Sequence, residues 1–99
     1  MKTDEIQRLS RAFKALSNPN RLTLFLNLMK ESELKVDDGV QTGCFLGTLI
    51  KNLSVGAPTV SHHIKELVHA DLIKTERQGK QLVCTINTSM LERLGRLFQ

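Results

Sequence analysis

No stretch of this 99-residue sequence approaches the roughly 18 consecutive apolar residues of a membrane-spanning helix, so no membrane partner is expected. The opening residues, MKTDEIQRLS, place acids where a secretory signal would carry its apolar core, and the expected compartment is the cytoplasm. Cysteine is scarce. Cys44 and Cys84 are too few for a disulfide scaffold, which leaves reduced thiols, a redox pair or metal ligands. Also missing are a glycine-rich phosphate loop, a metal-hydrolase motif, and any Ser or Cys with a His and an acid at a catalytic spacing. An enzyme is therefore not expected. Neither an internal repeat nor a low-complexity segment interrupts the chain.

What is present suits one small domain spanning residues 1–99. Hydrophobic residues make up 40% and charged residues 24%, ordinary for a globular chain. A chain this short buries a modest core, for which oligomerisation is a common remedy. The net charge is +4, and it is unevenly spread. Residues 1–50 hold seven Lys and Arg against six Asp and Glu, whereas residues 51–99 hold seven against four. An anionic partner for the second half follows as an expectation.

Hydrophobic spacing predicts the elements. Ile6, Leu9, Phe13 and Leu16 mark one face of a first helix, capped by Thr3 or Asp4. Asn18 caps a second helix with Pro19 at its first position, where the missing N–H costs nothing. Leu22, Phe25, Leu26 and Met29 form its expected inner stripe, with Leu24 and Leu28 as further apolar surface. Residues 31–43 hold four acids against one lysine, and Asp38-Gly39 predicts a loop or short hairpin between Lys35-Val36 and Val40-Gln41. A third helix is expected with Phe45, Leu46, Leu49, Ile50 and Leu53 inward, then a fourth from about Pro58 to His69 with Val60, Ile64, Leu67 and Val68 inward. After Asp71 the period turns from helical to alternating. A β-hairpin about Gln78-Gly79 should bury Ile73, Leu82, Cys84 and Ile86. The last helix reads as a Ser89–Glu92 capping box with Met90, Leu91, Leu94, Leu97 and Phe98 on its apolar face.

The informative stretch is VGAPTVSHHIKELVHADLIKTERQGKQLVCTIN, residues 55–87. The third and fourth helices, joined by Ser54-Val55-Gly56, have the layout of a helix-turn-helix, whose second helix offers its N-terminal residues to base edges in the major groove. The inner stripe leaves Pro58, Thr59, Ser61, His62, Lys65 and Glu66 on the opposite side. Hydroxyls and imidazoles can bond bases and phosphates alike. Arg77, Gln78 and Lys80 at the hairpin tip would make a basic wing that follows the neighbouring backbone or minor groove. Any amphipathic helix shows polar residues outward, so the helix alone proves nothing. The succession of helix, turn, helix and basic-tipped hairpin favours a nucleic-acid reader.

Two blocks, FKALSNPNRLTLFLNLM and APTVSHHIKELVHADLIKTERQGKQLVCTIN, resemble the signature blocks of ArsR-type (ArsR/SmtB) winged helix-turn-helix transcriptional repressors, covering about residues 12–87. The resemblance implies a mainly α fold with a β-hairpin wing, in the order helix, helix, loop, helix, helix, strand, strand, helix. It implies a homodimeric, sequence-specific repressor on a double-stranded DNA operator, released by a small inducer or a thiol-reactive signal. DNA-reading positions fall on Thr59, Ser61, His62 and Lys65, with the wing at Arg77 to Lys80. His63 stands where the family usually has His, and either a phosphate contact or a packed, hydrogen-bonded imidazole would suit it. The family dimerises through its first and last helices, which implicates Leu9, Phe13, Leu94, Leu97 and Phe98. Gly56 replaces the small polar cap that many members carry before the recognition helix, and the loop at 31–43 is longer than usual. The alternative is a winged-helix protein-interaction module that binds no operator.

Soft-metal sites of the family use paired cysteines at the start of the third helix. Phe45 and Gly47 stand in those places here, and the one thiol of Cys44 cannot make a three-coordinate site. The last helix has no histidine and Glu92 as its sole acid, so a metal site there is not expected. Zinc at His62, His63 and His69 would compete with DNA. No metal or other cofactor is therefore expected. The candidate thiol sensor is Cys44, whose expected place near a helix N-terminus would lower its pKa and let it take a thiol-reactive ligand or metalloid. The opposing reading is an inert cysteine that packs the helix start. Cys84, on the core side of the hairpin, reads as a small buried hydrophobe.

Overall fold

The computed structural model describes residues 1–34, 36–37, 40–41, 44–45 and 57–99. Two helices open the chain, α1 (Thr3–Leu16) and α2 (Pro19–Leu34), followed by the short strands β1 (Val36–Asp37), β2 (Val40–Gln41) and β3 (Cys44–Phe45). Helix α3 (Ala57–His69), the hairpin strands β4 (Ile73–Gln78) and β5 (Gln81–Ile86), and helix α4 (Thr88–Arg96) complete the order. The helix expected over Leu46–Leu53 and the Ser54-Val55-Gly56 turn lie outside the described residues.

Helix α2 starts as Asn18 and Pro19 dictate. The Asn18 carboxamide oxygen accepts from the backbone N–H groups of Asn20 at 2.9 Å and Arg21 at 3.2 Å, satisfying two donors of the first turn. Helix α1 has no comparable cap. Its N-cap is Lys2, without a side-chain bond, rather than Thr3 or Asp4; Asp4 and Glu5 complement the dipole in the first turn instead.

The core runs through every helix. Leu9, Ala12 and Ala15 of α1 meet Leu24, Phe25 and Leu28 of α2, Val60, Ile64 and Leu67 of α3, and Met90 and Leu94 of α4. Ile73, Cys84 and Ile86 of the hairpin close it. Two expected stripes are turned. On α1 the alanines face inward while Ile6 and Phe13 are exposed, and on α2 Leu22 and Leu26 are exposed while Leu24 and Leu28 are buried. Both helices carry apolar residues over more than half their girth, so spacing alone leaves two candidate inner faces. Small alanines win on α1 because they allow close approach of the neighbouring helices.

β5 is the middle strand of a three-stranded antiparallel sheet in the order β3-β5-β4. The hairpin turn is Gly79-Lys80, one residue later than the spacing predicts, with Gln78 opposite Gln81. Gly79 has φ +63°, a left-handed conformation that glycine adopts without strain. β3 replaces the expected helical start at Phe45. A hairpin alone would leave one side of β5 with unpaired N–H and C=O groups, and β3 bonds to that side. β1 and β2 form a separate pair, with Val36 opposite Gln41 and Asp37 opposite Val40.

The exit from α3 joins this sheet to the helices. Asp71 has φ 60°, and its N–H donates to Val68 O at 3.0 Å while the N–H of Leu72 reaches back to Leu67 O at 3.0 Å. This is a Schellman ending, with buried Leu67 and Leu72 as its apolar pair. Asn87 locks it from the far side. Its backbone N–H donates to Leu72 O at 3.0 Å and its side-chain Nδ2 to Asp71 O at 2.8 Å. Its Oδ1 accepts from Met90 N at 3.4 Å, capping α4 two residues before the expected Ser89 box.

These two side-chain roles can be separated. Asn87→Ala should lower unfolding free energy by about 2 kcal/mol in urea denaturation, since it removes a helix cap and leaves the Asp71 carbonyl without its donor. Asn87→Asp keeps the acceptor but not the donor, so it should fall between wild type and alanine. Equal stability of all three would show that neither bond matters.

Candidate nucleic-acid interface

Helix α3 divides cleanly. Val60, Ile64 and Leu67 are buried, Val68 is partly so, and Thr59, Ser61, His62, Lys65 and His69 are exposed. Pro58 stands in the first turn. The exposed residues of the first two turns are hydroxyls, an imidazole and one ammonium, groups that can bond base edges in the major groove. Beyond them the wing tip presents Arg77, Gln78, Gly79 and Lys80, all exposed. A cleft of ≈ 280 Å³ lies between helix and wing, with Ser61, Lys65 and His69 on one wall and Thr75 and Leu82 on the other. The fold therefore brings the helix positions and the wing to one side, although fourteen residues lie between Lys65 and Lys80.

His63 is the exception. It is 6% exposed and so cannot reach a phosphate. Neither ring nitrogen has a hydrogen-bond partner among the described residues, so the packed imidazole is not a bonded one. Burial holds its pKa below the ordinary value of 6.5, and the nearby charges of Arg21 and His62 push it the same way.

Helix packing adds residues that spacing does not reveal. Arg11 and Lys14 of α1, Arg21 of α2, and Glu66 and His69 of α3 line a second cleft of ≈ 300 Å³. Arg21 forms an ion pair with Glu66 at 3.7 Å, which links the start of α2 to α3. His69 borders both clefts, so the basic surface continues from the wing across α3 onto α1. Of the three basic residues from α1 and α2, Arg21, in the first turn of a well-capped helix, is the one that a sequence signal could have flagged. Arg11 and Lys14 look like any solvated helix face.

The residues assigned to the terminal helices separate into two sets. Leu9 and Leu94 belong to the subunit's own core, because their helices pack against each other's neighbours through them. Phe13 is 43% and Phe98 78% exposed, and Leu97 is exposed beside them. Phe13 and Phe98 meet edge to face, with centroids 6.2 Å apart and planes at 81°. Ile6, 52% exposed and two helical turns before Phe13, extends the patch and was missing from the expected set.

Cys44 lies on β3, opposite Cys84 of β5, which is fully buried; the helix whose N-terminus is expected near Cys44 lies outside the described residues. Among the described residues, no group of three or more His, Cys, Asp or Glu could hold a metal ion, and no helix is long and apolar enough to cross a membrane.

A recognition helix with a polar N-terminal face, packed beside a basic hairpin, defines a winged helix DNA-binding domain. No family model matches the chain. The arsenical resistance operon repressor of Staphylococcus xylosus is 30% identical over 89 residues, covering 90% of this chain and 75% of its own length. The transcriptional repressor SdpR of Bacillus subtilis is 26% identical over 84 residues, covering 85% and 81%. In fold, the chain resembles an ArsR-like transcriptional regulator from Rhodococcus, with TM-score 0.74, 17% identity and coverage of 96% and 79%. It also resembles a homodimeric winged helix-turn-helix DNA-binding domain from Mycobacterium bovis, with TM-score 0.70, 20% identity and coverage of 97% and 79%. The chain belongs to the ArsR-type family of winged helix-turn-helix transcriptional repressors.

The buried imidazole makes stability depend on pH. A histidine whose folded pKa is lowered is neutral when folded, while the unfolded chain gains its proton near pH 6.5. Stability should therefore be full above that pH and decline as pH falls below it, through the lowered folded pKa. His63→Leu should flatten this decline in denaturation curves at successive pH values. An unchanged slope would assign it to other groups.

Proposed function

We propose that this chain is a homodimeric repressor that reads a double-stranded DNA operator with α3 and grips the flanking backbone with its wing. The observation that carries the reading is the shared exposure of Thr59, Ser61, His62 and Lys65 on one side with Arg77 and Lys80. The first group can discriminate bases; the second supplies charge without sequence information. Arg11, Lys14 and Arg21 extend the positive surface for phosphates. Lys65 is partly offset by neighbouring Glu66, so modest non-specific affinity is expected, with specificity coming from hydroxyl and imidazole contacts. A repressor of this kind works in the cytoplasm, beside its operator. A signal that releases it, a small inducer or a thiol-reactive compound, completes the reading, with Cys44 as the candidate entry point.

Dimerisation is proposed through the exposed patch of Ile6, Phe13, Leu97 and Phe98. Four large apolar side chains on the first helix and just past the end of the last are costly to leave in water. An isologous contact would cover them and set two recognition helices against two half-sites.

The DNA roles differ in their salt and sequence signatures. Lys80→Ala should weaken binding to all duplexes alike and lower the salt slope by about 1, because one phosphate contact is lost. Ser61→Ala or His62→Ala should instead relax preference at one base position, by about 1–3 kcal/mol of discrimination. Titrations of upstream DNA and scrambled duplex at several salt concentrations read both. No duplex binding even at low salt would favour the alternative, a winged-helix protein-interaction module.

The patch has its own test. Phe98→Asp should convert the dimer to monomer in analytical ultracentrifugation while leaving the helical circular dichroism spectrum intact, since Phe98 is outside the core. A dimer that survives the substitution would move the interface elsewhere. Leu94→Asp cannot serve, because it would place a charge inside the subunit.

A further inference from the structure

The cleft between α3 and the wing lies where the core runs out to the surface. Ser61, Ile64, Lys65, Val68 and His69 follow the i, i+3, i+4, i+7, i+8 pattern of one helical stripe, which forms the first wall. The second wall is Thr75 of β4 and Leu82 of β5. Thr75 pairs with Cys84 and Ile73 with Ile86, and residues two apart on a strand share a face. This wall therefore continues the sheet face of buried Ile73, Cys84 and Ile86. Arg77 stands opposite Leu82 on that same face. Apolar groups meet across the slot, Ile64 and Val68 from the helix and Leu82 from the wing. Among the described residues no acid lines it. Glu66 lines the other cleft, where it pairs with Arg21, and Glu76, opposite Val83, lies on the other face of the sheet.

We propose that this cleft binds a small amphipathic carboxylate, with its apolar body between Ile64, Val68 and Leu82 and its carboxylate on the Lys65 ammonium. An apolar floor with a few convergent polar groups is the usual make-up of a ligand pocket. Its volume of ≈ 280 Å³ is just below the roughly 300–1,000 Å³ of such pockets, so the body is no larger than one substituted ring. Charge selects the acid. Lys65 and Arg77 border a slot with no carboxylate of its own, and a bound anion is held by a charge-assisted hydrogen bond. Ser61 and His69 stand one helical turn to either side of Lys65 and can donate to the second carboxylate oxygen. A phosphate dianion fits less well, because the apolar walls would strip its water without replacing it.

Ser61 and Lys65 are also the groups assigned to base reading, so the carboxylate and the operator exclude each other on this face. Release of the repressor by such a ligand rests on the repressor reading; binding in the cleft does not. This entry point is separate from Cys44.

4-Isopropylbenzoate and its neutral amide are titrated into the full-length, isotope-labelled protein without DNA, and backbone and methyl shifts are followed by NMR. The expected result is saturable shifts at Ser61, Lys65, Val68 and Leu82, with the acid bound about tenfold more tightly than the amide. Lys65→Gln should bring the acid down to the affinity of the amide, and Leu82→Gln should weaken both alike. Unchanged shifts elsewhere in each variant's spectrum show that it is folded. Shifts that do not saturate, shifts that map away from the cleft, or an acid no tighter than the amide would overturn the proposal. A companion titration adds the acid to the complex with upstream duplex. Displacement of the duplex is expected, and a duplex retained at saturating acid would overturn the mutual exclusion. Failure of the repressor reading would appear separately, as absent duplex binding by the ligand-free protein, while the NMR titration still decides the cleft.

Discussion

Four hydrogen bonds converge on Asn87, and the relation between recognition helix and wing depends on them. Its backbone N–H holds Leu72, its Nδ2 holds the Asp71 carbonyl, its Oδ1 caps Met90, and its own carbonyl accepts from Leu91 N at 3.1 Å. One residue thereby ties the exit of α3, the start of β4, the end of β5 and the start of α4. Asp71 must take a left-handed conformation for α3 to turn into the strand, and short polar side chains tolerate it better than branched ones. The apolar half of the junction, Leu67 against Leu72, lies in the core. Shape at this corner decides how far the wing stands from the helix it accompanies.

The polar surface and the core are two sides of the same helix. Val60, Ile64 and Leu67 sink into the subunit, so Thr59, Ser61, His62 and Lys65 must stand outward. The contact of α3 with α2 is tuned by weaker groups. The Arg21–Glu66 pair is half-exposed, and such pairs contribute little to stability; its value lies in orienting α3 and placing a guanidinium beside the reading face. Burial first, and then the nearby Arg21 charge, hold the pKa of His63 below its ordinary value. A histidine in a recognition helix thus need not face the DNA.

Some features were legible because the chain states them locally. The stripe of α3 and the Asn18-Pro19 start of α2 each lie in consecutive residues and formed where spacing predicts, while the wing formed with its turn one residue later and with Val83 buried and Leu82 only partly so. Others failed for a common reason. Thr3, Asp4 and Ser89 are good caps in isolation, yet the N-caps are Lys2 and Asn87, and Asn87 is held in place by its bonds to Leu72 and Asp71 across the junction. Among the interface residues, Leu9 and Leu94 look no different from Phe13 and Phe98 until packing draws the first pair inward.

Residue order by itself determined the recognition helix, the wing and their polar faces, because periods of 3.6 and 2 are properties of short segments. Only the tertiary structure decided which face of α1 and α2 is buried, which basic side chains border α3, and that Cys44 stands across from Cys84. Each of those depends on elements far apart in sequence. Close packing of helices and the need to pair the second edge of β5 bring them together, and neither constraint can be read from any one segment.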